Sequence, residues 1–279
     1  MSYIKSKKIS MALITGSVFL LIGLMAVVNV HAQDLNLSIE NMPQVVGAGL
    51  GYAPDYEGSD DYMFGGAPFG KYQFPGREQY ILLKAFELQA NLINHPWLRF
   101  GPSLNYRFGR DDVDDDVVDR MDDIDDTIEG GAFIGVEFID RANPRKRMSA
   151  DVDFLHDLGG EHDGYTIAFN ARFWYPVSKM FDVGLGAGFV YADEDYMSTY
   201  FSVDHSDSLR SGLPEFDADS GVKDVRINPV VVMHLSENWH LAGGFQYRRL
   251  LNDAEDSPVV DDRGSENQWI SGIGVAYSW

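Results

Sequence analysis

The chain of 279 residues contains no cysteine. That excludes a disulfide framework, thiolate metal sites and a cysteine nucleophile. Positive charge is scarce as well: 22 Lys and Arg stand against 43 Asp and Glu, for a formal net charge of −21. A surface of that sign repels phosphate backbones, so nucleic acid is excluded as a partner. Beyond Ala32 no stretch stays apolar for the ~20 residues that a membrane-spanning helix requires. Collagen-like repeats and a dominant low-complexity segment are missing too.

The N-terminus carries a different pattern. Lys5, Lys7 and Lys8 make a basic start, an apolar stretch follows from about Met11 to Val28, and Val30-His31-Ala32 puts small residues at the −3 and −1 positions of a cleavage site. This predicts a secretory signal peptide over 1–32, removed between Ala32 and Gln33. The rival reading is an uncleaved membrane anchor, because the apolar stretch is long for a signal. The segment holds three lysines and no acid, so its removal leaves residues 33–279 still more acidic.

From there on, period-two alternation recurs in pieces of strand length. Leu98, Phe100, Leu104, Tyr106 and Phe108 alternate with Arg99, Gly101, Ser103, Asn105 and Arg107. Tyr165, Ile167, Phe169, Phe173 and Tyr175 alternate with Thr166, Ala168, Asn170, Arg172 and Trp174. A soluble sandwich alternates too. Three features favour a membrane barrel: pieces near the ~9–11 residues of a tilted spanning strand, aromatics gathered at the ends of the apolar faces, and connections that alternate short and long. The long ones, 109–127, 157–164, 193–221 and 252–266, are the acidic ones. The expectation is an all-β protein, an antiparallel transmembrane β-barrel of about 12 strands, with 10 as the alternative. Direct counting yields eleven pieces, an odd number. Either 34–40 is a further strand or 78–93 is two short ones.

The last piece is the most regular. Trp269, Ser271, Ile273, Val275, Tyr277 and Trp279 share one face, opposite Ile270, Gly272, Gly274, Ala276 and Ser278. A chain ending on an aromatic in this pattern resembles the signal read by the outer-membrane assembly machinery, with Trp269, Ile273, Val275, Tyr277 and Trp279 as its residues. The final strand must pair with the first so that no edge is left open in lipid.

Several stretches in order resemble the MipA/OmpV family of outer-membrane proteins. They are Val46 through Ser59; Tyr106 through Arg110 followed by an Asp run and Glu129-Gly130-Gly131; Ser211 through Pro214 with Gly221 through Val225; and Tyr247 through Leu251, Asp253 through Val260 and Arg263 through Gln268. The resemblance implies a barrel in the outer membrane of a Gram-negative bacterium, with no known enzymatic chemistry and no cofactor. It also implies partners: outer-membrane lipids and lipopolysaccharide, the assembly machinery, and a murein transglycosylase and a murein synthase that a scaffold of this type joins. Other members of the family are associated with osmotic response, adhesion or drug sensitivity.

Candidate chemistry is sparse. Asp114, Asp115 and Asp116 in the 109–127 run could bind a divalent cation, but the run lacks the glycine and terminal glutamate of an EF-hand loop, and a solvated acidic loop is the plainer reading. His162, near His156, Asp157, Glu161 and Asp163, could ligate a metal or serve a loop structurally. Gly47-Ala48-Gly49-Leu50-Gly51 imitates a dinucleotide fingerprint without the helix that should follow. Inward positions combine Arg99, Arg107, Arg172, Arg226 and Arg248 with Asp151, Asp153 and Asp182, so the lumen should be crossed by ion pairs. Two functions fit: a structural or scaffold barrel tied to murein synthesis, or a narrow porin-like channel.

Overall fold

The computed structural model of the chain describes residues 42–279. The signal peptide, its cleavage between Ala32 and Gln33, and the optional strand over 34–40 lie outside the described residues. Among the described residues twelve strands form one closed antiparallel barrel in which each strand pairs with its sequence neighbours and the last pairs with the first. They are β1 Gln44–Pro54, β2 Tyr62–Gln73, β3 Tyr80–Lys84, β4 Glu87–Asn91, β5 Leu98–Arg107, β6 Thr127–Ile139, β7 Arg147–Asp157, β8 Tyr165–Pro176, β9 Phe181–Ala192, β10 Gly221–His234, β11 Trp239–Leu250 and β12 Asn267–Ser278. The odd count resolves at 78–93. That piece is the two short strands β3 and β4, folded back at Ala85, which takes a left-handed φ of 52°.

Alternation becomes two faces of the wall. On β5, Phe100 and Leu104 stay 45 % and 46 % exposed while Arg99 and Ser103 are buried inside. In water such an apolar exterior would drive aggregation; in a bilayer it is the contact surface for acyl chains. Aromatics crowd both rims. Trp239 lies against Tyr277 at one (5.2 Å between ring centroids), and Tyr247 lies against Trp269 at the other (4.7 Å). Closure leaves no free strand edge: β12 runs beside β1 from Val45 opposite Ser278 to Tyr52 opposite Ser271. Trp269, Ile273, Val275, Tyr277 and Trp279 all project outward from this seam.

The two ends differ. Turns 74–79, 92–97, 140–146, 177–180 and 235–238 make one end, here the turn end, where β1 begins and β12 finishes. At the other, the loop end, the long connections fold together instead of spreading into solvent. The reading of 109–127 as a solvated acidic loop holds for its aspartates, of which all but Asp115 are exposed, and is corrected for its apolar residues. Val118, Met121 and Ile124 within it are buried, because their apolar partners come from loops distant in sequence. Connection 193–220 holds two helices, α1 Glu194–Phe201 and α2 His205–Ser211, rather than irregular chain. Asp193 and Asp204 cap them by accepting from the backbone N–H of Tyr196 and Asp207, and Gly212 ends α2 in the left-handed conformation.

Candidate functional site: a capped and charged lumen

The cap has a hydrophobic core of its own. Tyr196, Met197, Tyr200 and Phe201 occupy one face of α1, at the i, i+1, i+4, i+5 spacing that gathers side chains on one side of a helix. They pack with Ile124, Leu250, Ala254 and Val260. A second cluster joins Val118 and Met121 to Tyr56, Val203, Leu213 and Val259. The Ser257 hydroxyl donates to the carbonyl of Phe201 at 2.6 Å. Gly164, where the chain enters β8, lets the helix approach: a Cβ there would stand 2.5 Å from the Tyr196 nitrogen.

Ion pairs stitch the loops to one another. Arg263 of the last loop grips Asp115 at 2.6 Å, and the same carboxylate accepts from the N–H groups of Val117 and Val118. Burial works to raise the Asp115 carboxyl, but Arg263 and these N–H donors outweigh it and hold it below the usual range. Asp122, Asp204 and Asp207 also converge. Arg210 pairs with two of them, at 2.6 Å from Asp122 and 2.5 Å from Asp207.

A denser network latches the cap to the barrel wall, and Glu57 of the first loop is its hub. Its carboxylate accepts from Lys223 of β10, from Arg248 of β11 at 3.1 Å and from the Tyr196 hydroxyl of α1 at 2.9 Å. Burial opposes charge on Glu57, yet Lys223 and Arg107 overcome it and keep the carboxyl below its ordinary value. Beside it, Arg107 of β5 forks onto Glu129 of β6 at 2.8 and 3.1 Å and also donates to the Tyr196 hydroxyl at 2.9 Å. Buried His162 contributes a further link. Its Nδ1 accepts from the Gly164 N–H, so Nε2 carries the proton and donates to Glu129 at 3.2 Å. Three separate loops thus reach the wall through Glu57, His162 and Tyr196.

Beneath the latch lies a polar cavity of about 120 Å³, lined by Lys84, Asp153, Asn170, Arg172, Arg226 and Gln246 among others. Arg172 pairs with Asp151 at 2.9 Å, and Asp153 accepts from Gln89 and Ser103. Toward the turn end the inward side chains become apolar. Val45, Phe69, Trp174, Val230, Val232, Ala242 and Ala276 form an apolar plug. Gly184 of β9 makes room for the Trp174 ring, whose atoms would stand 2.9 Å from a Cβ there. Around the plug, Arg99 spans Glu78 and Glu137, Arg145 holds Asp182 at 2.6 Å, and a chain runs from Asp182 through His234 and His240 to the Ser278 hydroxyl.

Residues 46–279 match the family model described as MltA-interacting protein MipA. The chain belongs to the MipA family. No curated protein sequence matches it significantly. Among solved structures, the NanC porin shares 10 % identity at a TM-score of 0.47, over 85 % of this chain and 100 % of that one. An outer membrane channel from Pseudomonas putida F1 shares 11 % at 0.46, over 85 % and 96 %. The translocator domain of the autotransporter NalP from Neisseria meningitidis shares 10 % at 0.41, over 85 % and 88 %. Likenesses of this degree carry no argument about activity, and the barrel assignment rests on the strand ladder itself.

In this MipA-family barrel the residues singled out from sequence have separate fates. Asp114 offers its N–H to Asp55, Asp115 serves the cap through Arg263, and Asp116 is exposed, so the three do not converge on one point. His162 sits in the latch, and its neighbour Asp157 ties the same loop by accepting from Gly159, His162 and Asp163. The sequence reading missed Glu57, Glu129, Glu137 and Lys223, which anchor the ion pairs. Glu57, Glu129 and Lys223 were visible only as family motif positions. The bulge that turns both Lys223 and Asp224 inward lies in the pairing of β10 with β9.

Proposed function

We propose that this protein is a sealed barrel of the outer membrane of a Gram-negative bacterium, acting as a structural scaffold without enzymatic activity. The observation that carries the reading is side-chain packing at both ends of the lumen: a cap with its own core at the loop end, and an apolar cluster around Trp174 at the turn end. In this reading the loop end faces outward among lipopolysaccharide, the apolar belt contacts lipid, and the turn end faces the periplasm. The partner implied by the family's description is a murein transglycosylase, and a murein synthase is the second component such a scaffold would join. Affinity purification of the tagged protein from solubilised envelopes should recover the transglycosylase; a blank result would remove the scaffold role. The assembly machinery is expected to read the outward aromatics of β12.

A second reading, a narrow porin-like channel, is favoured by the charged cavity in mid-lumen. Planar-bilayer recording separates the two. The sealed barrel should give no steady conductance steps, and regular steps from the unmodified protein would turn the assignment toward the channel.

A further inference from the structure

We propose that the mid-lumen cavity is a binding site for a small hydroxylated oxyanion, such as a hydroxy acid or hydrogen phosphate. Arg226 of β10 and Arg248 of β11 stand directly opposite each other in the ladder, both on the lumen side. Like charges in that relation repel unless an anion lies between them. Two residues before Arg248 on the same face, the Gln246 Nε2 is buried without a hydrogen-bond partner, in a residue only 4 % exposed. An unmade hydrogen bond at a buried donor is costly, so such atoms indicate where a ligand oxygen belongs. The hydrogen bond described for Arg226 is to the Asn170 amide oxygen, at 3.2 Å, a neutral partner for a charged group.

Charge points the same way. In a strongly acidic protein the cavity lining holds six cationic side chains against four acidic ones. Its chemistry already accepts a carboxylate, since Glu57 reaches in from the cap onto Lys223 and Arg248. The hydroxyl follows from the acceptors. Asp224 Oδ1 and Asp153 Oδ1 are buried without donors, and both residues line the cavity. Its volume suits a solute of about six heavy atoms, by comparison with the ~150 Å³ apolar cavity that holds benzene.

The test is calorimetry on the full barrel in detergent with sodium lactate, sodium acetate and sodium phosphate, against sodium chloride. Lactate or phosphate should bind saturably and tighter than acetate, which lacks the hydroxyl. Binding by lactate alone assigns a hydroxy acid, and binding by phosphate alone assigns phosphate. Arg226→Gln should weaken binding on the order of tenfold or more, the value of one charge-assisted hydrogen bond. Arg226→Lys, which keeps the charge and loses the fork, should weaken it less, and Glu57→Gln should strengthen it by removing a competing carboxylate. Heat-modifiable migration certifies that each variant is folded. No saturable heat up to about 20 mM for any oxyanion, or equal binding by wild type and folded Arg226→Gln, overturns the proposal. If Arg226→Gln does not fold, equal binding by wild type and Gln246→Leu overturns it in the same way. The outcome is independent of whether the barrel scaffolds murein enzymes.

Discussion

Replacing Glu57 with alanine should release the cap. In the native barrel this carboxylate is 9 % exposed and is shared by Lys223, Arg248 and the Tyr196 hydroxyl. Its loss leaves two cations facing one another in a lumen with little solvent. Breaking one side of a buried ion pair costs about 3–5 kcal/mol, mostly as the uncompensated charge of the remaining partner. Lys223 keeps Asp224 at 2.9 Å, so the lower end of that range, about 3 kcal/mol, is the appropriate figure. The barrel ladder does not depend on Glu57, and the penalty therefore falls on the closed position of the cap. A shift of about 3 kcal/mol raises the opening constant on the order of 100-fold. Hydrogen exchange followed by mass spectrometry reads this directly, because amides of α1 that exchange through cap opening speed up by the same factor while those of β6 to β9 do not. Glu57→Gln, which can keep the Tyr196 hydrogen bond, should give a smaller acceleration. If α1 exchanges in Glu57→Ala within about threefold of wild type, the carboxylate is not what holds the cap.

Acid should act on the same latch. Glu57 and Asp115 both have carboxyls held below their ordinary values of 4.5 and 3.8, so their contribution is complete above those values and is lost as pH falls through the lowered ones. Limited proteolysis of 109–126 and 193–220 should therefore be flat from neutral pH down to about 5 and rise steeply only in stronger acid; a rise centred near neutral pH would point to a histidine instead. Trp174→Ala should lower thermal stability by about 3–5 kcal/mol through the cavity it leaves in the plug, checked by the loss of heat-modifiable migration at lower temperature. Conductance should appear in the double variant with Glu57→Ala and not in either single one, since each end seals the lumen alone. Tyr277→Ser with Trp279→Ser should reduce the amount of folded barrel in the outer membrane more than any loop substitution, measured by the same gel shift on isolated membranes; normal assembly would remove these residues as a signal.

The wall of this barrel was legible residue by residue. A strand in a membrane barrel faces lipid on one side and lumen on the other, so each side chain in 98–108, 165–176 or 267–279 declares its face by parity alone. The aromatic rims, the short and long connections and the seam at Trp279 follow from the same local rule, as does the placement of Arg99, Arg172 and Asp182 inside. Among the described residues the strand count was limited by 78–93, where the signal for a turn at Ala85 is a left-handed alanine that no residue type announces.

The cap and the latch were not legible, because they depend on contacts between positions far apart in the chain. Val118, Met121 and Ile124 stand among aspartates, and nothing local distinguishes a solvated acidic loop from one whose few apolar residues meet α1 and Val259. Capping residues Asp193 and Asp204 and the spacing of Tyr196, Met197, Tyr200 and Phe201 did carry a helix signal, though what that helix covers is settled only by closure of the barrel. Glu57 shows the division most clearly. As sequence it is one acid among 43 acidic residues. Closing twelve strands brings Lys223, Arg248 and Tyr196 to the same point from 139 to 191 residues away. Parity determines which way a side chain faces, and ring closure determines what it meets there.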